Sequence, residues 1–262
     1  MKYVNYFIFV LILVIYSCYT NEEETYNGTL RFEIDHQVQG MPIEVDNMIY
    51  TNAAGNPYEI SEIQWFISDV SLVDSEDQIH LLSNSDWIHY IDTDLPETHS
   101  WTIMDGVRPG EYEMIKFVFG IKGEKNAQMM FTDPPESNMI WPYYMGGDEG
   151  GYHYMKLNGF WIDKQSQRSP FNFHIGVGQL YDENARITGF VQNWFEVELP
   201  LSSFKMPAGG NVTAQIVMNV ENWFKGPNNY DHDVFGGSIM ANQEAMGQIK
   251  TNGRDVFSAI IK

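Results

Sequence analysis

A chain of 262 residues carries 15 Lys and Arg against 35 Asp and Glu, a formal charge of −20 at pH 7. So acidic a chain argues against nucleic acid as a partner, because phosphates need a basic surface. It also argues against electrostatic attachment to anionic lipid, while remaining compatible with cations and with solubility at a cell exterior.

The first residues read as an export signal. Lys2 is followed by a continuous apolar run from Tyr6 to Tyr16 and then Ser17-Cys18. The run is shorter than the roughly 20 residues a spanning helix needs, and a charged start, short apolar stretch and small residue form the signal-peptide pattern. Cys18 is the single cysteine, so no internal disulfide exists to explain it. The segment Ile15-Tyr16-Ser17-Cys18 resembles a bacterial lipobox, which makes Cys18 the expected lipidation site and residues 1–17 the signal peptide. Residues 18–28 then form a polar tether with the acidic run Glu22-Glu23-Glu24. The plain alternative is a secretory signal with an incidental cysteine.

Beyond the tether, strand patterns recur. Leu30, Phe32 and Ile34 alternate with Arg31, Glu33 and Asp35, the period of a half-buried strand. Ile49 to Asn56 ends at the turn Gly55-Asn56-Pro57, Ile60 to Val73 alternates loosely, and His80 to Leu82 and Trp87 to Ile91 are short strands. A strong strand runs from Tyr112 to Gly120, and residues 121–137 are irregular. Further strands are expected over Tyr152 to Trp161, Phe171 to Gly178, Arg186 to Leu199, Val212 to Val220 and Val256 to Ile261. The one helix expected is Ser238 to Ile249, capped by Ser238. Aromatics make up 15% of the chain and charged residues only 19%, which favours strands with aromatic packing. The predicted fold class is therefore all-β: a β-sandwich-like single domain over residues 29–262 with one short C-terminal helix.

The densest chemistry lies between Met139 and Gly159, MIWPYYMGGDEGGYHYMKLNG, followed by FNFHIGVG at Phe171 to Gly178. Strand parity assigns each histidine a face. His36 continues the apolar row Leu30, Phe32, Ile34; His153 shares a face with Met155 and Leu157; His174 lies opposite Phe173 and Ile175. A buried histidine needs a partner, because an unpaired buried polar group costs about 1–3 kcal/mol. That partner is a hydrogen-bonding group or a metal, and neutral imidazole suits copper and zinc. Met129, Met130, Met139, Met145 and Met155 read as gap-filling core. The acidic segment 228–233 lacks the calcium-loop pattern and reads as a turn with its own side-chain hydrogen bonds. Hydrolase, P-loop, zincin and dinucleotide motifs are absent from the sequence.

The order of LRFEIDHQVQGMPI, YTNAAGNPYEISEIQWFISDVSL, PGEYEMIKFVFGI, MIWPYYMGGDEGGYHYMKLNGFW and FNFHIGVG resembles the MbnP-like family of copper-binding periplasmic proteins, in its Bacteroidetes-type lipoprotein branch. The resemblance spans residues 29–261 and implies a β-sandwich-like domain. It further implies copper held by histidines beside a tryptophan oxidised to kynurenine. His36, His153 and His174 are the metal residues it points to, with Trp141 as the oxidised tryptophan and a di-haem peroxidase as partner.

The leading expectation is a non-enzymatic, lipid-anchored copper-binding protein for copper scavenging or handling, placed in the bacterial cell envelope as an outer-membrane lipoprotein. The second is a cell-surface interaction or glycan-binding lipoprotein that keeps the fold without a metal, suggested by Trp87, Trp101, Trp194 and Trp223. A hydrolase ranks last, since no nucleophile–base pair is evident.

Overall fold

The computed structural model describes residues 27–82, 87–103 and 106–262. The signal peptide, Cys18 and most of the tether lie outside the described residues. In chain order the strands are β1 (Thr29–Val38), β2 (Met41–Pro42), β3 (Tyr50–Thr51), β4 (Pro57–Asp74), β5 (Ile79–Leu81), β6 (Ile88–Asp92), β7 (Ser100–Thr102) and β8 (Gly110–Phe119). They continue as β9 (Met155–Ile162), β10 (Arg168–Ile175), β11 (Gly178–Tyr181), β12 (Ile187–Val191), β13 (Phe195–Met206), β14 (Asn211–Asn219) and β15 (Phe257–Ile261). The helices are α1 (Tyr143–Gly146), α2 (His232–Phe235) and α3 (Gln243–Asn252).

Two sheets form the sandwich. One runs β15-β14-β1-β2 with β7 also paired to β1; the other runs β10-β9-β4-β8-β13, with β3, β5 and β6 also paired to β4. Strand β1 lies parallel to β14 and buries its even-numbered residues, as its alternation requires. Between the sheets, the Trp65 ring of β4 packs against Phe119 of β8 at 6.1 Å and Phe257 of β15 at 5.3 Å. Strand β4 is buried along most of its length because its outer face is covered too: Phe66 stacks on Phe131 at 5.6 Å and meets Tyr152 edge-on. The segment between β8 and β9 therefore folds back as a cap over the outer face of the larger sheet.

Three expected elements shift. The helix expected at Ser238 begins at Gln243, because Asn242 supplies the cap: its side chain accepts from the Ala245 N–H at 3.0 Å. Ser238 instead bridges to Asn172 beside β10. The long β-rich stretch expected from Arg186 to Leu199 resolves into β12 and β13. Strand β13 runs on through Pro200, tolerated because it is the edge of its sheet and its register slips between Pro200 and Phe204. Finally, β9 begins at Met155 rather than Tyr152, which changes the direction of His153.

Candidate metal centre

Residues 139–141 and 151–153 zip together ahead of β9. Ile140 bridges Tyr152, the Trp141 N–H donates to Gly151 O at 2.9 Å, and the His153 N–H donates to Met139 O at 2.7 Å. Tyr154 N–H then donates to Ile175 O at 2.7 Å. This bend removes His153 from the strand row assigned by parity. Rather than sharing the face of Met155 and Leu157, its ring meets that of His174 at 5.1 Å, perpendicular to it. Trp141 meets His153 edge-on at 4.6 Å. Cross-strand partners share a face, so His174, its partner Lys156 on β9 and Gln64 on β4 all lie on the outer side. The cap closes over this side: Trp141 is fully buried, His153 is 4% exposed and His174 is half-buried.

Hydrogen bonds fix both tautomers. The Met139 carbonyl can only accept, and it receives the His153 Nδ1–H at 2.9 Å. That leaves the His153 lone pair on Nε2. His174 Nε2 contacts Asn158 Oδ1 at 2.8 Å, which leaves its lone pair on Nδ1. Among the described residues, both remaining nitrogens, His153 Nε2 and His174 Nδ1, are buried without a hydrogen-bond partner, as is Trp141 Nε1. Burial, reinforced by His174, pushes His153 down to about 3. Burial, reinforced by Lys156, pushes His174 down to about 4. Both rings are therefore neutral at physiological pH, the form that ligates metals.

Glycines hold the indole in place. A Cβ on Gly176 would lie 2.6 Å from Trp141 Cζ3, and one on Gly146 would lie 2.7 Å from Cδ1. The backbone at these two positions thus presses directly against the ring. Of the five methionines in this part of the sequence, Met139, Met145 and Met155 are buried while Met129 and Met130 reach solvent. Met155, partner of Trp65, faces the inter-sheet core.

His36 is not brought to this pair. Its ring enters the gap between the sheets, where Nε2 accepts from Trp65 Nε1–H at 3.0 Å and the His99 ring lies 5.5 Å away. Trp65 points to the face of its sheet opposite Gln64, Lys156 and His174. The indole N–H also occupies the one lone pair a neutral imidazole has. Burial, then His99, pushes His36 down to about 3. The expected trio is thus a pair plus a separate core histidine.

Segment 228–233 is a hydrogen-bonded turn, as its composition suggested: Asp231 caps α2, and Asn228 N–H donates to Asn252 Oδ1 at 2.9 Å. His232 at its centre is fully buried among Phe171, Trp161, Tyr230 and Phe224, with neither ring nitrogen bonded. Sequence reasoning missed Glu62 and Asn158, which stand behind His174. The alternation Met155-Lys156-Leu157-Asn158 marks Asn158 as outward-facing, but only the strand register places it beside His174 and Glu62.

The residues present fit a soft or borderline metal ion: two neutral imidazoles, each with one nitrogen unpartnered among the described residues, lie with their rings 5.1 Å apart beneath the cap. The family model MbnP matches residues 27–241. Among solved structures, MbnP from Methylosinus trichosporium superposes with a TM-score of 0.56 at 12% identity, covering 90% of this chain and 99% of that one. At that identity the likeness speaks for the fold. No curated protein sequence matches.

Proposed function

Since the chain belongs to the MbnP family, whose copper-binding character gives it a copper-related role, we propose that it holds copper between His153 Nε2 and His174 Nδ1, beside Trp141. One observation carries this reading. Two imidazoles meet perpendicular at 5.1 Å, each with one ring nitrogen hydrogen-bonded and the other buried and unpartnered among the described residues, an arrangement that costs stability unless something fills it. Imidazole chemistry alone suits zinc as well as copper; the family favours copper.

The test is anaerobic titration with Cu(I) against a competing chelator, with Zn(II) in parallel. His153→Ala and His174→Ala should each weaken Cu(I) binding by more than the roughly 10–100-fold typical of a residue one shell removed. His36→Gln should leave binding within a few-fold. Binding no tighter than micromolar, or indifferent to both substitutions, would overturn the reading.

In the same proposal the protein is a non-enzymatic copper-handling or scavenging lipoprotein of the bacterial envelope, anchored to the outer membrane through Cys18. A Cys18→Ala variant should then move from the membrane to the soluble fraction and lose incorporation of a labelled fatty acid; retention in the membrane would count against the anchor. Trp141, with its orphaned N–H against the pair, is the residue proposed for oxidation to kynurenine. A di-haem peroxidase is the proposed oxidising partner. Peptide mass analysis of protein from its native host reads that state directly. Of the tryptophans behind the glycan reading, Trp223 is fully buried, Trp87 and Trp101 are half-buried in a stack around His89, and Trp194 is half-buried beneath the Lys122 ammonium.

A further inference from the structure

His174 presents a free lone pair on Nδ1 only because Nε2 carries the proton. For His153 the backbone enforces the tautomer, since a carbonyl can do nothing but accept. For His174 the partner is an amide, Asn158, which can accept through oxygen or donate through nitrogen. The tautomer of His174 therefore depends on which way that amide is turned, and amide orientation is decided by its whole network.

The other end of the amide settles it. Asn158 Nδ2 donates to Glu62 Oε2 at 3.2 Å, while Asn158 Oδ1 faces His174 Nε2 at 2.8 Å. An ionised carboxylate only accepts. A flipped amide would set its oxygen against the Glu62 oxygen, two acceptors face to face, with the remaining lone pairs unpaired in a half-buried layer. Glu62 thus turns Asn158, Asn158 Oδ1 accepts from His174 Nε2–H, and the Nδ1 lone pair is left free on a ring that lies 5.1 Å from that of His153. Asp92 and Asp94 lie close enough to Glu62 that one oxygen from each falls within 4.8 Å of the others. Asp92 is itself held by Tyr90 O–H at 2.6 Å and Gln64 Nε2–H at 3.0 Å. Burial raises the Glu62 carboxyl, and Asp92 and Asp94 raise it further, while the Asn158 N–H and the Lys156 charge favour its ionised form; Lys156 Nζ also donates to Asn138 O at 2.6 Å.

We propose that Glu62 and Asn158 are positioning residues that lock His174 in its Nε2–H tautomer and thereby set the metal affinity of the histidine pair. The affinity half rests on the copper reading above, whereas the tautomer half can be read with no metal present.

The experiment records long-range proton–nitrogen NMR spectra of the imidazoles in the metal-free protein, in which protonated and unprotonated ring nitrogens resonate apart. Cu(I) titration of the same samples follows. The parent protein should show His174 protonated on Nε2 alone. Glu62→Gln, whose amide no longer forces the choice, and Asn158→Leu, which removes the acceptor, should each yield a mixture of tautomers or the Nδ1–H form. Each should also lower Cu(I) affinity about 10–100-fold. The double variant Glu62→Gln/Asn158→Asp reverses the relay while again presenting an acceptor to His174, so it should restore both the tautomer and the affinity. A purely structural role for these residues would give no such restoration. The proposal is overturned if Glu62→Gln and Asn158→Leu leave His174 in the parental tautomer, or if the double variant fails to rescue it. A tautomer shift with unchanged Cu(I) affinity would instead refute the metal pair and leave the relay standing.

Discussion

Gly176→Ala is expected to destabilise the protein by about 3 kcal/mol, the upper end of the range for overpacking a filled core, and to weaken Cu(I) binding at the same time. The new methyl group would stand 2.6 Å from Trp141 Cζ3. The indole cannot retreat, because the Gly146 backbone presses on its other edge and the ring is fully buried. Displacing the indole displaces His153, which touches it at 4.6 Å. Urea unfolding and tryptophan emission measure the first effect, and chelator competition the second. Gly247→Ala serves as the opposite control: it lies within α3, where the nearest atom to the new Cβ is 3.9 Å away. There the substitution should gain about 0.5–1 kcal/mol from helix propensity. If Gly176→Ala unfolds at the parental urea concentration, the close packing of backbone against indole is wrong.

Acid should destabilise the protein through its buried histidines, and His232→Phe should relieve part of that loss. Burial pushes His36 and His153 down to about 3, and His174 and His232 down to about 4. An unfolded histidine takes a proton near pH 6.5. Between about pH 6.5 and pH 4 the unfolded chain therefore binds protons that the folded chain refuses. Stability is highest above that window and falls as pH drops through it, by about 1.4 kcal/mol per pH unit for each such histidine. By pH 5 the share of His232 is about 2 kcal/mol. The His232 ring can be removed without breaking a hydrogen bond to any described residue, because neither ring nitrogen has a partner among them and the ring already lies flat on Phe171 at 4.6 Å. His232→Phe should accordingly be neutral or stabilising at pH 7.5, where an orphaned polar group costs about 1–3 kcal/mol. It should be more stabilising at pH 5. Urea melts at the two pH values decide this: a variant that loses stability at pH 7.5 and keeps the parental pH slope would show that His232 has a partner the aromatic box conceals.

Much of the fold was legible in the alternation of side chains. Strand β1 buries the row Leu30, Phe32, Ile34, His36 that its sequence displays, and β14 lies where Val212 to Val220 suggested it. Legibility failed where local signals compete. Two residues can cap the C-terminal helix, and Asn242 does so because Ser238 is held in a bridge to Asn172. Pro200 reads as a strand end, yet β13 is an edge strand whose register slips just after it, a place where a proline is tolerated. In the candidate site, parity gave the wrong face for His153 because alternation holds only within a strand, and the chain bends through residues 152–154 before β9 begins.

The amino-acid sequence by itself determined the all-β class, the acidic charge that argues against nucleic acid, and the crowding of Trp141 and His153 into one segment close before His174. These follow from composition and period, which are local. Tertiary structure decided which histidines meet. Whether a side chain faces the gap between two sheets or the cap outside them depends on which strands pair and in what register, and that is a long-range choice. It sent His36 inward to Trp65, turned His153 outward to His174, and set Asn158 and Glu62 behind the pair, where their hydrogen bonds choose the nitrogen that remains free.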